Sequence, residues 1–270
     1  MLVDVLALVL VQLAFGMALC TLATPSRAVA GGFFALHGVL AAAAVALAAA
    51  SSGRTGLLRE TDGVGAPGAL LVLALVALAA GSLLARAERV GPSRAALGVA
   101  ALALGLLVAS RAWVPPLAGR GLPHAWLASG LLLGGLFFGA VVWAMNVGHW
   151  YLVSKTLPFQ LLVRASQAFL ALALIRVAWA GLVLALASRS AGPPGEALAS
   201  LLDPMRDGFF FFSRVLWGLL APAVLAPFVL KTARMKSNQA ATGLLYVALV
   251  FVMIGELLAT YLTLRTGLPT

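Results

Sequence analysis

Eight apolar runs divide this chain almost end to end, each close to the ~20 residues that a helix rising ~1.5 Å per residue needs to cross a hydrocarbon core. They are Leu2–Leu22, Ala28–Ala50, Gly68–Leu84, Ala95–Val114, Ala125–Val147, Pro158–Ala187, Gly208–Leu230 and Ala240–Leu264. The third, closed by Arg86, is short, and the sixth is long enough to tilt or to project beyond the bilayer. Of the 270 residues 63% are hydrophobic and 10% charged, where soluble domains average about 25% charged. The chain therefore reads as an all-α, polytopic integral membrane bundle, with residues 1–270 forming a single transmembrane domain of eight helices. Stretches 51–67, 115–124 and 188–207 contain Gly and Pro, are too short to bury a core of their own, and read as loops. They fall on one side, where they could form a docking surface for another subunit. No sequence repeat relates the first four runs to the last four, so an inverted-repeat transporter gains no support from the sequence.

The formal net charge of +10 would suggest nucleic acid in a soluble protein. Here the basic residues sit in short loops between apolar runs, which makes them topology signals and excludes a nucleic-acid partner; the lipid bilayer is the partner they read. One set of loops holds Arg27, then Arg86, Arg89 and Arg94, then Lys155, then Lys231, Arg234 and Lys236. The opposite set holds Arg54, Arg59, Arg111, Arg120, Arg189, Arg206 and Arg265, together with most of the acids. The dense clusters after the third and seventh runs place the first set in the cytoplasm of a bacterial inner membrane and both termini outside. The first run carries Asp4 in place of a basic n-region, so it is expected to be retained. A single cysteine, Cys20, excludes an internal disulfide and a cysteine-only metal centre and reads as packing. With no Walker loop, nucleophile elbow or paired-His metal motif, neither autonomous hydrolysis nor ATP-driven transport is expected, and no metal site.

Glu256 interrupts the last run. A carboxylate at that depth costs several kcal/mol unless it is neutralised, paired or facing a polar cavity. Arg176 and Arg214 also lie inside apolar runs, and antiparallel alternation brings all three towards one membrane side. Glu256, Arg176 and Arg214 are thus the candidate catalytic set, a carboxylate exchanging protons with a bound ligand. The alternative is an ion pair fixing helix register, with Arg214 snorkelling outward. Thr242, Tyr246, Met253, Glu256 and Thr260 recur at helical spacing and read as one stripe facing protein or a cavity. Trp217 lies one turn from Arg214, and Pro222 can bend that helix.

A second polar set lies towards the other face: Gln160, Arg164 and Gln167 on the sixth helix, Asn146 and His149 on the fifth, and His37 on the second. His37 is nine residues, or ~13 Å, into its run, whereas His149 falls at an edge. Such unequal depths argue against a haem b held between them, and leave His37 as a hydrogen-bonded or quinone-contacting residue. Gly130, Gly134, Gly135 and Gly139 give small-xxx-small spacing for close helix packing, and Phe209–Phe212 reads as a lipid-facing anchor.

Gly255-Glu256-Leu257-Leu258, followed by Tyr261-Leu262, resembles the closing span of the membrane-anchor subunits of dimethyl sulfoxide and polysulfide reductases. The match is confined to the last run, and Thr260 stands where the resemblance leads one to expect a basic residue. It implies eight helices, quinol oxidation or quinone reduction coupled to an attached iron–sulfur or cytochrome subunit, no haem, and a role for Glu256 in handling protons at a menaquinone or ubiquinone. Quinol oxidation releases two protons with two electrons, so its site needs a proton acceptor, a hydrogen-bond donor for the ring oxygen and apolar walls. Glu256, Arg176 or Tyr246, and nearby aromatics could fill these roles, with Tyr246, His37, Trp217, Gln167 and Arg164 as the candidate cofactor-binding residues. Two alternatives stand beside this respiratory-type oxidoreductase subunit. One is a secondary transporter using the buried Glu and Arg residues, with helices broken at Pro222 or Pro227; the other is a non-catalytic membrane scaffold or assembly subunit.

Overall fold

The computed structural model describes residues 1–26, 29–51, 67–114, 117, 123–153 and 157–270. Eight of its helices are long and apolar enough to cross a membrane, and no strand occurs among the described residues. They are α1 (Leu2–Leu22), α2 (Gly31–Ala50), α3 (Pro67–Arg86), α4 (Val90–Ser110, prolonged to Trp113 by a 3₁₀ turn), α5 (His124–Val153), α6 (Phe159–Ala187), α8 (Pro204–Arg234) and α9 (Asn238–Thr266). The protein is an all-α polytopic membrane bundle. The third span is a full 20 residues because it runs on to Arg86, whose cation suits the negative end of a helix. The fifth continues past Val147 through His149, Trp150 and Tyr151. Amphipathic side chains of this kind are at home at a membrane–water boundary and give a helix no reason to stop there.

Residues 188–207 are not simply a loop. They contain α7 (Pro193–Leu202), a short helix begun by two prolines, which are well tolerated where the first N–H groups have no helical partner. Its Leu201 packs with Val183, Ala187, Phe211, Leu262 and Leu268 in a small apolar cluster separate from the main core. Asp207 accepts from Ser200 at 2.9 Å and pairs with Arg265, tying α7 and the start of α8 to the end of α9. Most of the expected loops 51–67 and 115–124, and the basic residues Arg27, Arg54, Arg59, Arg120 and Lys155, lie outside the described residues.

Sequential antiparallel helices close into two four-helix units. In one, α1, α2, α3 and α4 each pack on the next, and α4 returns to α1; in the other, α5, α6, α8 and α9 do the same. The units join chiefly along α1 and α5, with α9 and α4 at the flanks. This seam is where the glycine stripe is used. A Cβ on Gly16 would lie 2.0 Å from the Gly135 carbonyl oxygen, and one on Gly139 only 2.1 Å from the Gly16 carbonyl carbon. The two backbones touch because neither carries a side chain there, which is the close approach that drives helix association in lipid. Gly139→Val should therefore separate the units, lowering the melting temperature and the yield of monodisperse protein; an unchanged melt would remove this seam from the account.

Eight spans return the chain to the side it started from. Reporter fusions after Arg94 and after Thr270 are expected to report opposite compartments, and agreement between them would break the count.

Candidate functional site

Glu256 projects from α9 into the second four-helix unit, ten residues, or ~15 Å, before the helix ends at Thr266. Arg176 lies eleven residues before the end of α6 at Ala187, and Arg214 ten residues after α8 begins at Pro204. Antiparallel alternation therefore brings all three to one level. Arg176 donates from Nε to Oε1 at 3.2 Å and from Nη2 to Oε2 at 3.1 Å. Arg214 donates from Nη2 to Oε1 at 3.1 Å. Both carboxylate oxygens are occupied, and one of them is shared between two guanidiniums. The three side chains are 2–3% exposed or, for Arg214, not exposed at all. Arg214 does not snorkel, contrary to the ion-pair expectation: its side chain is held inward on Glu256.

Local backbone makes this possible. Arg214–Leu220 is a π-helical segment, and a second π turn covers Pro204–Gly208. Pro222 has no N–H, and its ring would crowd the carbonyl of Gly218 four residues earlier, a contact that a wider turn avoids. Gly218 in turn meets Gly255: a Cβ on the first would lie 2.5 Å from the Cα of the second, and 2.3 Å from Arg214 Nη1. On the opposite flank, a Cβ on Gly134 of α5 would lie 2.4 Å from Glu256 Oε2. Three glycines thus clear the space that the charged groups fill.

The site is rich in donors and poor in acceptors. Arg176 Nη1, Arg214 Nε and Nη1, and Trp179 Nε1 are buried without a hydrogen-bond partner among the described residues. Among the described residues no carboxylate other than Glu256 pairs with either arginine, so the triad carries one net positive charge.

The other candidates are dispersed. Trp217 stacks on Phe251 with ring centroids 5.3 Å apart and lines a groove of about 430 Å³ with Phe209, Phe210, Ser213, Ile254 and Leu258. Its aromatic rims are exposed on the outside of the bundle. Within Phe209–Phe212, three rings are exposed and Phe211 is buried against α7. Tyr246 and Met253 do not share the buried face of Glu256: both are more than 40% exposed. Tyr246 instead exchanges a hydrogen bond with His149 at 3.2 Å, ten residues, or ~15 Å, from the triad along α9. Arg164 and Gln167, with Gln160, lie on the exposed face of α6. They too are remote from Glu256.

His37 is buried between α2 and α5. Its Nδ1–H donates to the Phe33 carbonyl at 2.9 Å, which leaves Nε2 to accept from Asn146 Nδ2 at 3.3 Å. The unequal depths expected for His37 and His149 are not observed, because α2 begins at Gly31 and α5 runs on to Val153; each histidine is four to six residues inside its helix. Sequence reasoning passed over Gln12, which donates to the Leu131 carbonyl at 2.7 Å and accepts from Thr260 at 3.1 Å, linking α1, α5 and α9. As an amide inside an otherwise apolar run, it carried a usable signal. Trp179 gave none, since nothing local distinguishes it from an interfacial tryptophan.

Fold and site together define a membrane helix bundle built round a buried Arg–Glu–Arg triad. The chain matches no protein-family model, and no curated protein or solved structure is significantly similar to it.

Proposed function

We propose that this chain is the quinone-reactive membrane subunit of a respiratory-type oxidoreductase complex in a bacterial inner membrane, with both termini outside. The observation that carries the reading is the relation of the groove to Arg214. The groove opens to the bilayer, is walled by Phe209, Phe210, Trp217 and Phe251, and is lined from the same two helices, α8 and α9, that cross at Gly218 and Gly255. Arg214 Nη1 lies at that crossing, buried behind the groove wall, with no acceptor among the described residues. An apolar ring entering from lipid stacks on Trp217, and the arginine N–H supplies the donor that a ring oxygen needs. When Arg214 turns to that oxygen, Oε1 of Glu256 keeps only its bond from Arg176 Nε and has a lone pair free to accept a proton from the quinol hydroxyl. The two electrons pass to an iron–sulfur or cytochrome partner, and the protons leave towards the face that carries the termini. α7 and the loops of that face would meet the partner subunit.

Trp217→Ala should weaken binding of a menaquinol or ubiquinol analogue to the reconstituted protein roughly tenfold, the worth of a lost aromatic stack with its buried area. Phe228→Ala, which removes another exposed ring of α8, should leave it unchanged. Equal binding by Trp217→Ala and wild type would exclude the groove.

The division into two four-helix units favours a second reading, a secondary transporter in which one unit rocks on the other about the α1–α5 seam. It is distinguished by solute flux in vesicles without any response to quinol.

A further inference from the structure

Of the residues that line the groove between α8 and α9, Ser213 alone has a side chain that carries an oxygen. Trp217 adds an indole N–H, which only donates, and the remaining lining side chains are hydrocarbon. The guanidinium of Arg214 also only donates. The groove therefore has one side-chain acceptor.

That hydroxyl differs from its counterparts elsewhere in the bundle. Every other serine and threonine described in the spanning helices donates to an acceptor within the protein, in most cases the carbonyl about one turn earlier on its own helix. Ser213 Oγ has no partner among the described residues. It is the last residue before the π-helical segment Arg214–Leu220, and stands four residues from Phe209 on one side and from Trp217 on the other. It lies nine residues, or ~13 Å, into α8. At that depth neither water nor lipid tails can satisfy it, which leaves a polar group of whatever enters the groove.

We infer that Ser213 Oγ accepts a hydrogen bond from a hydroxyl of the reduced ligand, so that the groove holds the quinol form. This rests on the quinone reading and names the oxidation state that the site is built to take. An oxidised ring presents carbonyls, which need the donors that Trp217 and Arg214 supply. A reduced ring presents O–H groups, which need an acceptor, and Ser213 is the lining side chain that provides one. A quinol has two hydroxyls, so this bond leaves the other free for Glu256.

The test uses the full-length protein in nanodiscs and two redox-inert probes, an alkyl naphthol and its methyl ether, which keeps the ring and the oxygen but has no O–H to donate. Wild type should bind the naphthol about tenfold more tightly than the ether, the worth of a hydrogen bond whose loss strands a polar group. Ser213→Ala should erase that preference by weakening the naphthol alone, and Ser213→Thr, which keeps the hydroxyl, should retain it. Trp217→Ala should weaken both probes and leave their ratio unchanged. No preference in the wild type, or a preference that survives in Ser213→Ala, would overturn the inference while leaving the groove in place. Binding of both probes by Trp217→Ala as tight as by wild type would instead remove the quinone reading of the groove, and this inference with it.

Discussion

Glu256→Gln is expected to cost the fold about 3–5 kcal/mol, read as a large fall in melting temperature and loss of monodisperse protein. The substitution preserves shape but strands two arginines, neither of which has another carboxylate partner among the described residues. One amide oxygen can still accept, but the amide nitrogen then points a donor at a guanidinium donor, and the net charge of the cluster rises from one to two. Combining Glu256→Gln with Arg176→Gln restores the original net charge and should recover much of the loss. A well-folded Glu256→Gln protein with wild-type stability would mean that the triad does not hold these helices together. The same geometry makes Glu256→Gln a poor probe of proton transfer by itself, and Trp217→Ala the better test of the quinone reading.

Gly255→Val should be nearly as damaging, for a reason that has nothing to do with charge. Its Cβ would fall 2.3 Å from Gly218 Cα and 2.8 Å from Arg214 Nη1. Backbone atoms cannot turn aside as a side-chain end can, so α8 and α9 must move apart and Arg214 leaves Glu256. Overpacking of this kind costs ~1–3 kcal/mol before the broken ion pair is counted. Gly243→Ala is the control: it lies on the same helix with nothing within 4 Å, and exchanging glycine for alanine there should be neutral or slightly stabilising. Equal melting of the Gly255→Val and Gly243→Ala variants would show that the crossing is looser than its geometry requires.

The eight spans were legible because crossing a bilayer depends on local composition: each span needs its own apolar run and no knowledge of its neighbours. The level of the triad was legible for a related reason. Alternating antiparallel helices convert distance from a loop into depth, and Glu256, Arg176 and Arg214 stand ten or eleven residues from ends on the same side. The glycine stripe on α5 also declared itself, although which glycines serve the α1 seam and which face Glu256 did not. The start of α7 was misread because Gly192, Pro193 and Pro194 mark a turn and a helix beginning equally well.

Rotation about each helix axis was the part that the sequence could not determine. The buried arc of α9 is centred on Leu245, Val252 and Ala259; Glu256 and Thr260 lie within it, while Tyr246 and Met253 fall just past its edge, so a stripe drawn through the polar residues was turned by a fraction of a helical turn. In a soluble protein, water outside and oil inside fix that phase. Here lipid and protein interior are both apolar, and the phase of α9 is set by its contacts with α5 and α8. Tertiary packing likewise fixed the glycine contact between α8 and α9. The sequence alone determined how many helices cross and how deep each charge lies, because both follow from composition along the chain. Only the assembled bundle decided which side chains face one another, because that depends on close contact between helices that hydrophobicity cannot tell apart.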